Sequence, residues 1–198
     1  MEKTIAFFDF DGTITRKDTM LELVKYAKGN FNFYKGMIII SPWLVGLKLG
    51  LVKNSKAKEK LLTYFFKGMP LEKFNAICKE FSEEIIPGLI RQDAYEALVD
   101  HKQKGDEIIV VSASAENWIA PWCNRNKIKF IATKLEVTNG VLTGLLSGEN
   151  CNGLEKVNRI RQMLDPAFYK FIFCYGDSSG DVEMMKIATN PCFKKFKG

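Results

Sequence analysis

Asp9 and Asp11 stand two residues apart in Asp9-Phe10-Asp11-Gly12-Thr13, directly behind the apolar run Ile5-Ala6-Phe7-Phe8. A short strand ending in two acids sets like charges on one rim, and they repel unless a cation lies between them. Gly12 and Thr13 are residues that let the backbone turn sharply there. A second acidic group, Gly176-Asp177-Ser178-Ser179-Gly180-Asp181, follows the run Phe171–Tyr175 in the same manner. Together the two groups offer hard oxygen donors from two strand ends, without histidine or cysteine among them. Such a donor set favours Mg²⁺ over zinc.

The elements that must position these acids are legible in the apolar pattern. Ile5–Phe8, Ile108–Val111 and Phe171–Tyr175 are each followed by small, polar or acidic residues. Short β-rich runs alternating with helical stretches predict an α/β fold with a parallel sheet covered by helices. In such sheets ligands sit outside the carboxyl ends of the strands, where all three polar groups fall. About a hundred residues separate the first and second strands, far more than a crossover helix needs. Leu21–Ala27, Leu61–Phe66, Phe74–Ile86 and Leu89–Lys104 have helical spacing, punctuated by Gly29, Gly68-Met69-Pro70 and Pro87-Gly88. The last of these is expected to be the crossover. The chain then divides into a catalytic core, 1–15 and 87–198, and a helical cap, 16–86, placed to cover the acids as a lid. Beyond the second strand the pattern predicts a helix over Glu116–Asn126 and a strand over Ile128–Ala132. A hairpin is expected around Asn139-Gly140, helices over Glu155–Leu164 and Gly180–Ala188, and a short last strand at Cys192-Phe193.

The ordered motifs resemble those of the haloacid dehalogenase (HAD) superfamily. Its phosphatases carry Asp-x-Asp-Gly-Thr, a Ser or Thr after the second strand, a Lys, and a late acidic pair. Here these are Asp9/Asp11, Ser112 in Val110-Val111-Ser112-Ala113-Ser114, Lys156 in Gly153-Leu154-Glu155-Lys156, and Asp177/Asp181. Taken singly, Ser112 is an ordinary strand-end serine, Lys156 a solvated helix lysine, and Asp177 and Asp181 helix-cap acids. Their joint occurrence in order is specific.

The resemblance implies a Rossmann-like parallel sheet flanked by helices, with an inserted α-helical cap, and an Mg²⁺-dependent phosphomonoesterase. It implies that Asp9 attacks phosphorus to form an aspartyl-phosphate, while Asp11 protonates the leaving oxygen and then activates water. Asp9, the main-chain carbonyl of Asp11 and Asp177 would hold Mg²⁺, with Asp181 a ligand or an outer acceptor. Ser112, with backbone amides around Gly12 and Ala113, would grip phosphate oxygens. Lys156 would neutralise charge between phosphate and carboxylate.

The position of the insert resembles the helical-cap branch, subfamily IB, that includes phosphoserine phosphatase. There a Glu after the first motif and an Arg in the cap recognise the amino acid; Asp18 and Lys60 fall near those positions. Both are departures, as is Gly180 where those enzymes usually have Asn. The insert is instead rich in Phe31, Phe33, Tyr34, Trp43, Tyr64, Phe65 and Phe66, most of them expected in its core. That mixture resembles a related branch with apolar caps, some members acting on phosphatidylglycerophosphate. A small or a lipid-like phosphate monoester is the expected substrate. The alternatives are a phosphoserine phosphatase, a phosphotransferase or mutase, and a silent phosphate-binding regulatory protein.

Composition bounds the remaining partners. The net charge is +6, with lysines spread along 198 residues, so an anionic partner fits and nucleic acid is not indicated. Five cysteines without a Cys-x-x-Cys pair argue against a disulfide framework and favour reduced thiols in the cytoplasm. Met1-Glu2-Lys3-Thr4 runs into the first strand without a signal-peptide pattern. His101, the single histidine, reads as a surface residue at a helix end. Gly36–Leu47 carries no charge but is too short to span a bilayer and holds Pro42; a buried cap helix is expected. The competing reading is an apolar surface giving peripheral membrane contact through the cap. Nothing in the sequence fixes an oligomeric state.

Overall fold

β1 (Thr4–Phe8) is buried along both faces, as a central parallel strand must be. Ala6 and Phe8 face one hydrophobic core and Ile5 and Phe7 the other, following the two-residue period of a strand. The computed structural model describes residues 3–196; Met1 and Glu2 of the run into β1 lie outside them. All five strands of the sheet are parallel, in the order β3-β2-β1-β6-β7. The others are β2 (Glu107–Ala115), β3 (Lys129–Thr133), β6 (Phe171–Gly176) and β7 (Asn190–Phe193). The order reverses between β1 and β6, and the crevice at that switch point is where ligands of such sheets bind.

The long insert follows β1. It contains α1 (Thr19–Lys48), α2 (Asn54–Phe66), α3 (Leu71–Glu84) and the single turn α4 (Ile86–Leu89). The crossover α5 (Gln92–Lys104) comes after it and ends at Gly105, which is left-handed (φ 75°). Its start is three residues later than the apolar spacing suggests, because residues 89–91 are drawn into pairing. The Arg16 amide donates to Leu89 O at 2.9 Å, and the Arg91 amide to Ile14 O at 2.8 Å. The outgoing and returning chains therefore run side by side below the insert.

Gly29 breaks α1 with φ 76° and ψ 159°, so two helices meet there at an angle. The second one continues through Pro42. Ser41 Oγ donates to Ile38 O at 2.7 Å, occupying the carbonyl that Pro42 leaves without an amide donor. This segment is not the buried helix expected from its composition. Gly36 and Ile40 are buried, but Phe31, Tyr34, Ile38, Trp43 and Val45 are exposed. Of the seven cap aromatics named above, only Phe33, Phe65 and Phe66 are buried in the insert's core. No described helix is long and apolar enough to cross a membrane.

On the core side, α6 (Glu116–Arg125) and α5 cover one face of the sheet, and α7 (Leu154–Met163) and α8 (Val182–Lys186) the other. The expected helix over Gly180–Ala188 begins instead as a 3₁₀ turn, Ser179–Asp181, before α8. The hairpin is β4 (Leu135–Thr138) and β5 (Val141–Leu146), with Asn139 and Gly140 both at positive φ. It stands off the sheet and bonds to the insert: Gly68 N to Leu142 O, Leu142 N to Met69 O, and Leu71 N to Gly140 O, at 2.8–2.9 Å. Gly144 (φ 85°) presses on Thr63, where a Cβ would come within 2.4 Å of the Thr63 Cα.

His101 is a further correction. It is buried, with Nδ1 2.7 Å from Asp106 Oδ2 and Nε2 3.0 Å from the Tyr175 hydroxyl. Ala94, Leu98 and His101 share one face of α5, so the ring follows its helical stripe onto the sheet.

Candidate active site

Asp9 leaves β1 with its amide donating to Tyr175 O at 2.9 Å, which keeps it level with the end of β6. Gly12 then brings the turn against Asp177. Its φ is 83°, and a Cβ there would lie 2.4 Å from Asp177 Oδ2. No other residue type fits both conditions. Gly176 has the same function beside Asp181, where a Cβ would sit 2.5 Å from the Asp181 Cβ.

Asp9, Asp177 and Asp181 converge, with one carboxylate oxygen from each lying within 4.8 Å of the others. Lys156, buried in the first turn of α7, donates to Asp9 Oδ1 at 2.5 Å and Asp181 Oδ1 at 2.6 Å. Burial works against its charge, but the two carboxylates overcome this and raise the ammonium's pKa above the usual lysine value. Asp181 also accepts from the Asp177 and Ser178 amides and from Ser178 Oγ. Burial disfavours its charge too, yet Lys156 and these donors hold its pKa below the ordinary value. Asp9 is less well served: among the described residues, Oδ2 has only the Thr13 hydroxyl, at 3.5 Å. Burial, followed by the neighbouring Asp181 and Asp11 charges, pushes its carboxyl up to about 7 in spite of Lys156. Burial and Asp181 raise Asp177 as well. This all-oxygen cluster fits a hard divalent cation, which would relieve the crowding of its carboxylates.

Asp11 points elsewhere. Its Oδ1 accepts from the amide and hydroxyl of Thr19, both at 2.6 Å, and its Oδ2 from Ser114 Oγ at 2.5 Å. Trp118 Nε1 in turn holds the Thr19 hydroxyl at 3.1 Å. Ser114 reaches Asp11 because β2 slips its register against β3 between Ser112 and Ala115, and such bulges re-aim side chains. Ser112 Oγ is buried and accepts the Ser114 amide at 3.0 Å; Ala113 and Ser114, rather than Ser112, line the cavity.

The cavity over the cluster measures about 400 Å³. Asp9, Asp11, Asp177 and Lys156 form its floor, and Met20, Leu21, Met37, Leu44, Leu47 and Leu61 of the insert its far wall. Apolar chambers with a few convergent polar groups are the usual form of a ligand site.

A profile of the haloacid dehalogenase-like hydrolase family matches residues 6–186. The chain belongs to that family. Protein CicA of Caulobacter vibrioides is 31% identical over 200 residues, spanning 100% of this hydrolase and 88% of CicA. A probable phosphatase of Mycobacterium tuberculosis is 27% identical over 190 residues, 93% of this chain and 66% of that one. Among solved structures, a Bordetella pertussis protein of unknown function superposes with a TM-score of 0.84 at 21% identity, over 96% of this chain and 89% of its own. A phosphoserine phosphatase determined as a phospho-aspartyl intermediate analogue gives 0.63 at 22%, over 96% and 86%. These structural likenesses concern the fold. The hydrolase is an enzyme of the HAD phosphatase type.

The two cap positions named from the sequence, Asp18 and Lys60, part company in the structure. Asp18 lines the cavity and caps α1, its Oδ1 accepting the Leu21 amide at 3.0 Å. Lys60 does not reach the cavity; it is exposed, with Nζ 5.2 Å from the centre of the Trp43 ring. The lysine that enters is Lys58, donating to Ala113 O at 2.7 Å and Asn150 Oδ1 at 2.8 Å. Positions 58 and 60 are about 200° apart on a helix, so they cannot share a face. The sequence held the signal: Lys58 lies three and four residues before Leu61 and Leu62, on the apolar stripe of α2. Burial pulls the Lys58 ammonium down to about 8, although Asp11 and Asp18 support its charge.

Thr19, Ser114 and Asn152 were also not singled out by the sequence. Asn152 occupies the space beside Gly180, its Oδ1 about where a Cβ at 180 would have to go. Asn152, two residues before α7, also lines the cavity.

Proposed function

We propose that this enzyme hydrolyses phosphate monoesters through a phospho-Asp9 intermediate. The observation that carries the reading is the unequal treatment of Asp9 and Asp11. Asp9 keeps one oxygen nearly free at the floor of the cavity, as a nucleophile requires. Asp11, beside it on the floor, is held by Thr19 and Ser114, oriented for proton transfer rather than attack. Lys156 fixes Asp9 Oδ1 and leaves Oδ2 for phosphorus. Ala113 and Ser114, with the Gly12 turn, supply the surface for phosphate oxygens, and Ser112 holds that turn of chain through the Ser114 amide. Asp9, Asp177 and Asp181, with the carbonyl of Asp11, would hold Mg²⁺. When bound, the ion screens the anionic nucleophile from the anionic phosphate.

Attack by Asp9 Oδ2 forms an O–P bond as the ester O–P bond breaks, and Asp11 gives the departing oxygen its proton. Asp11, now a carboxylate, takes a proton from water, whose oxygen displaces Asp9 from phosphorus. Free phosphate and the starting protein result.

The wall opposite the floor supports an amphiphilic leaving group rather than an amino acid. Asp18 and Lys58 are the features favouring phosphoserine, an acid and a base in one cavity. Both are already engaged, Asp18 by Leu21 and Lys58 by Ala113 and Asn150, and six apolar side chains surround the remaining space. The five free cysteines support a reducing, cytoplasmic setting. The insert, residues 16–86, acts in this reading as the specificity-determining cap on a core of 1–15 and 87–198.

The test is an Mg²⁺-dependent hydrolysis panel of phosphoserine, sugar phosphates, nucleotides, glycerol phosphates and lysophosphatidic acid. It is paired with acid quenching and mass spectrometry of the Asp9 peptide. Phosphate on Asp9 and a preference for the single-chain lipid are expected. Turnover without that adduct would sink the mechanism.

A further inference from the structure

The second half of α1 is apolar on both sides, although only one side has anything to pack against. Gly36, Met37, Ile40, Leu44 and Leu47 face inward, and three of them form the cavity wall. On the opposite face, Phe31, Tyr34, Ile38, Val45 and Leu49 recur at helical spacing, with Phe31 81% and Ile38 74% exposed. Leu51, 80% exposed, extends the patch past the helix end. A contiguous apolar stripe of this kind is an interaction surface rather than scattered surface leucines.

The charge around it identifies the partner. Residues 27–67 hold eight lysines, of which Lys58 is turned into the cavity, and one acid, Glu59, a net +7 against +6 for the whole chain. The rest of the chain therefore sums to −1. A second copy of the chain would bring the same positive surface to the interface and be repelled. Lys60 stands over the Trp43 ring, the aromatic-and-cation pairing suited to a membrane–water boundary. An apolar helix face rimmed by lysines, too short to cross, matches a segment that lies in the plane of an anionic lipid surface.

We infer that residues 30–51 form a docking surface for an anionic lipid bilayer. The helix then presents its outer face to the lipid and its inner face to the substrate. This rests on the phosphatase reading for what the site takes from the membrane, but not for the docking itself.

The experiment is co-sedimentation of the full chain with vesicles of phosphatidylcholine alone and of phosphatidylcholine mixed with phosphatidylglycerol. Binding to the mixed vesicles, weakened by high salt, is expected. Phe31→Glu and Ile38→Glu should each lower it about tenfold or more. Turnover of p-nitrophenyl phosphate, which needs neither residue, should stay at the parent level and certify folding. The same measurement on Asp9→Asn protein separates the two proposals, since docking should survive there even with catalysis gone. No binding to the mixed vesicles, or equal binding to both compositions, would overturn the inference. So would a solution dimer that the same two substitutions dissolve, which would assign the stripe to a second copy.

Discussion

Lys156 Nζ lies 2.5 Å from Asp9 and 2.6 Å from Asp181, so one buried ammonium holds the ends of two loops together. The two carboxylates fare differently. Asp181 gains three further donors, whereas Asp9 Oδ2 is left with one distant hydroxyl. In the proposed mechanism that imbalance makes Asp9 the reactive member.

Asp9→Asn should reduce kcat by about 10³-fold or more while leaving the circular dichroism spectrum and gel-filtration volume unchanged. Retention of appreciable Mg²⁺-dependent turnover would remove Asp9 as nucleophile.

Asp11→Asn should affect leaving-group departure selectively. Alkyl phosphates, whose alcohols need a proton, should lose far more rate than p-nitrophenyl phosphate, whose phenolate leaves unaided. Equal losses for both would contradict the acid role.

The elevated Asp9 pKa has a sign that can be checked. Its carboxyl rises from 3.8 to about 7 in the metal-free protein, through burial first and then its acidic neighbours. The folded state therefore holds a proton that the unfolded chain releases, and this group's contribution to stability falls as pH climbs from about 4 to about 7. Mg²⁺ competes with that proton. The rise in Tm on adding Mg²⁺ should accordingly be larger at pH 8 than at pH 5.5. Identical shifts at both would argue against Asp9 as a ligand.

Gly12→Ala tests the close approach of the two loops. The new methyl would meet the Asp177 carboxylate on a backbone that disfavours it, so Tm and Mg²⁺ affinity should fall together, with a stability loss of about 1–3 kcal/mol. Unchanged Mg²⁺ binding by calorimetry would place Asp177 outside the site.

Lys58→Gln and Lys60→Gln remove the same charge two residues apart. Only the first should alter KM for a phosphate ester, since only Lys58 reaches the cavity. Equal effects would indicate general surface electrostatics.

The sheet and the acidic motifs were readable because each is local in sequence. A central parallel strand buries both faces and so appears as an unbroken apolar run, as Ile5–Phe8 does. The Asp-x-Asp-Gly turn is contiguous. Ser114 and Asn152 were not readable, since each depends on geometry between distant segments: a register slip of β2 against β3, and the empty space at Gly180. Lys58 is legible in principle from the stripe of α2, whereas the family position falls near Lys60, on another face of the helix. The burial of His101 is masked in the sequence by its polar neighbours, although the ring lies on the Leu98 stripe. The exposure of the outer face of α1 is not legible, because apolar composition alone does not say which side of a helix has a partner.

The hairpin's three backbone bonds to residues 68–71 restrict how the site can open. On the other flank, α3 is fastened to α6 through Asn117 to Asn75 and Arg125 to the Ser82 carbonyl. Swinging the insert away as one piece would break all of these bonds. The arm of α1 beyond Gly29 starts in open space, where a Cβ would meet nothing within 4 Å, and packs on α2 through Gly36 against Tyr64 and Phe65. In the proposed reading the ligand enters past the inner face of that arm, where Met37, Leu44 and Leu47 line the cavity.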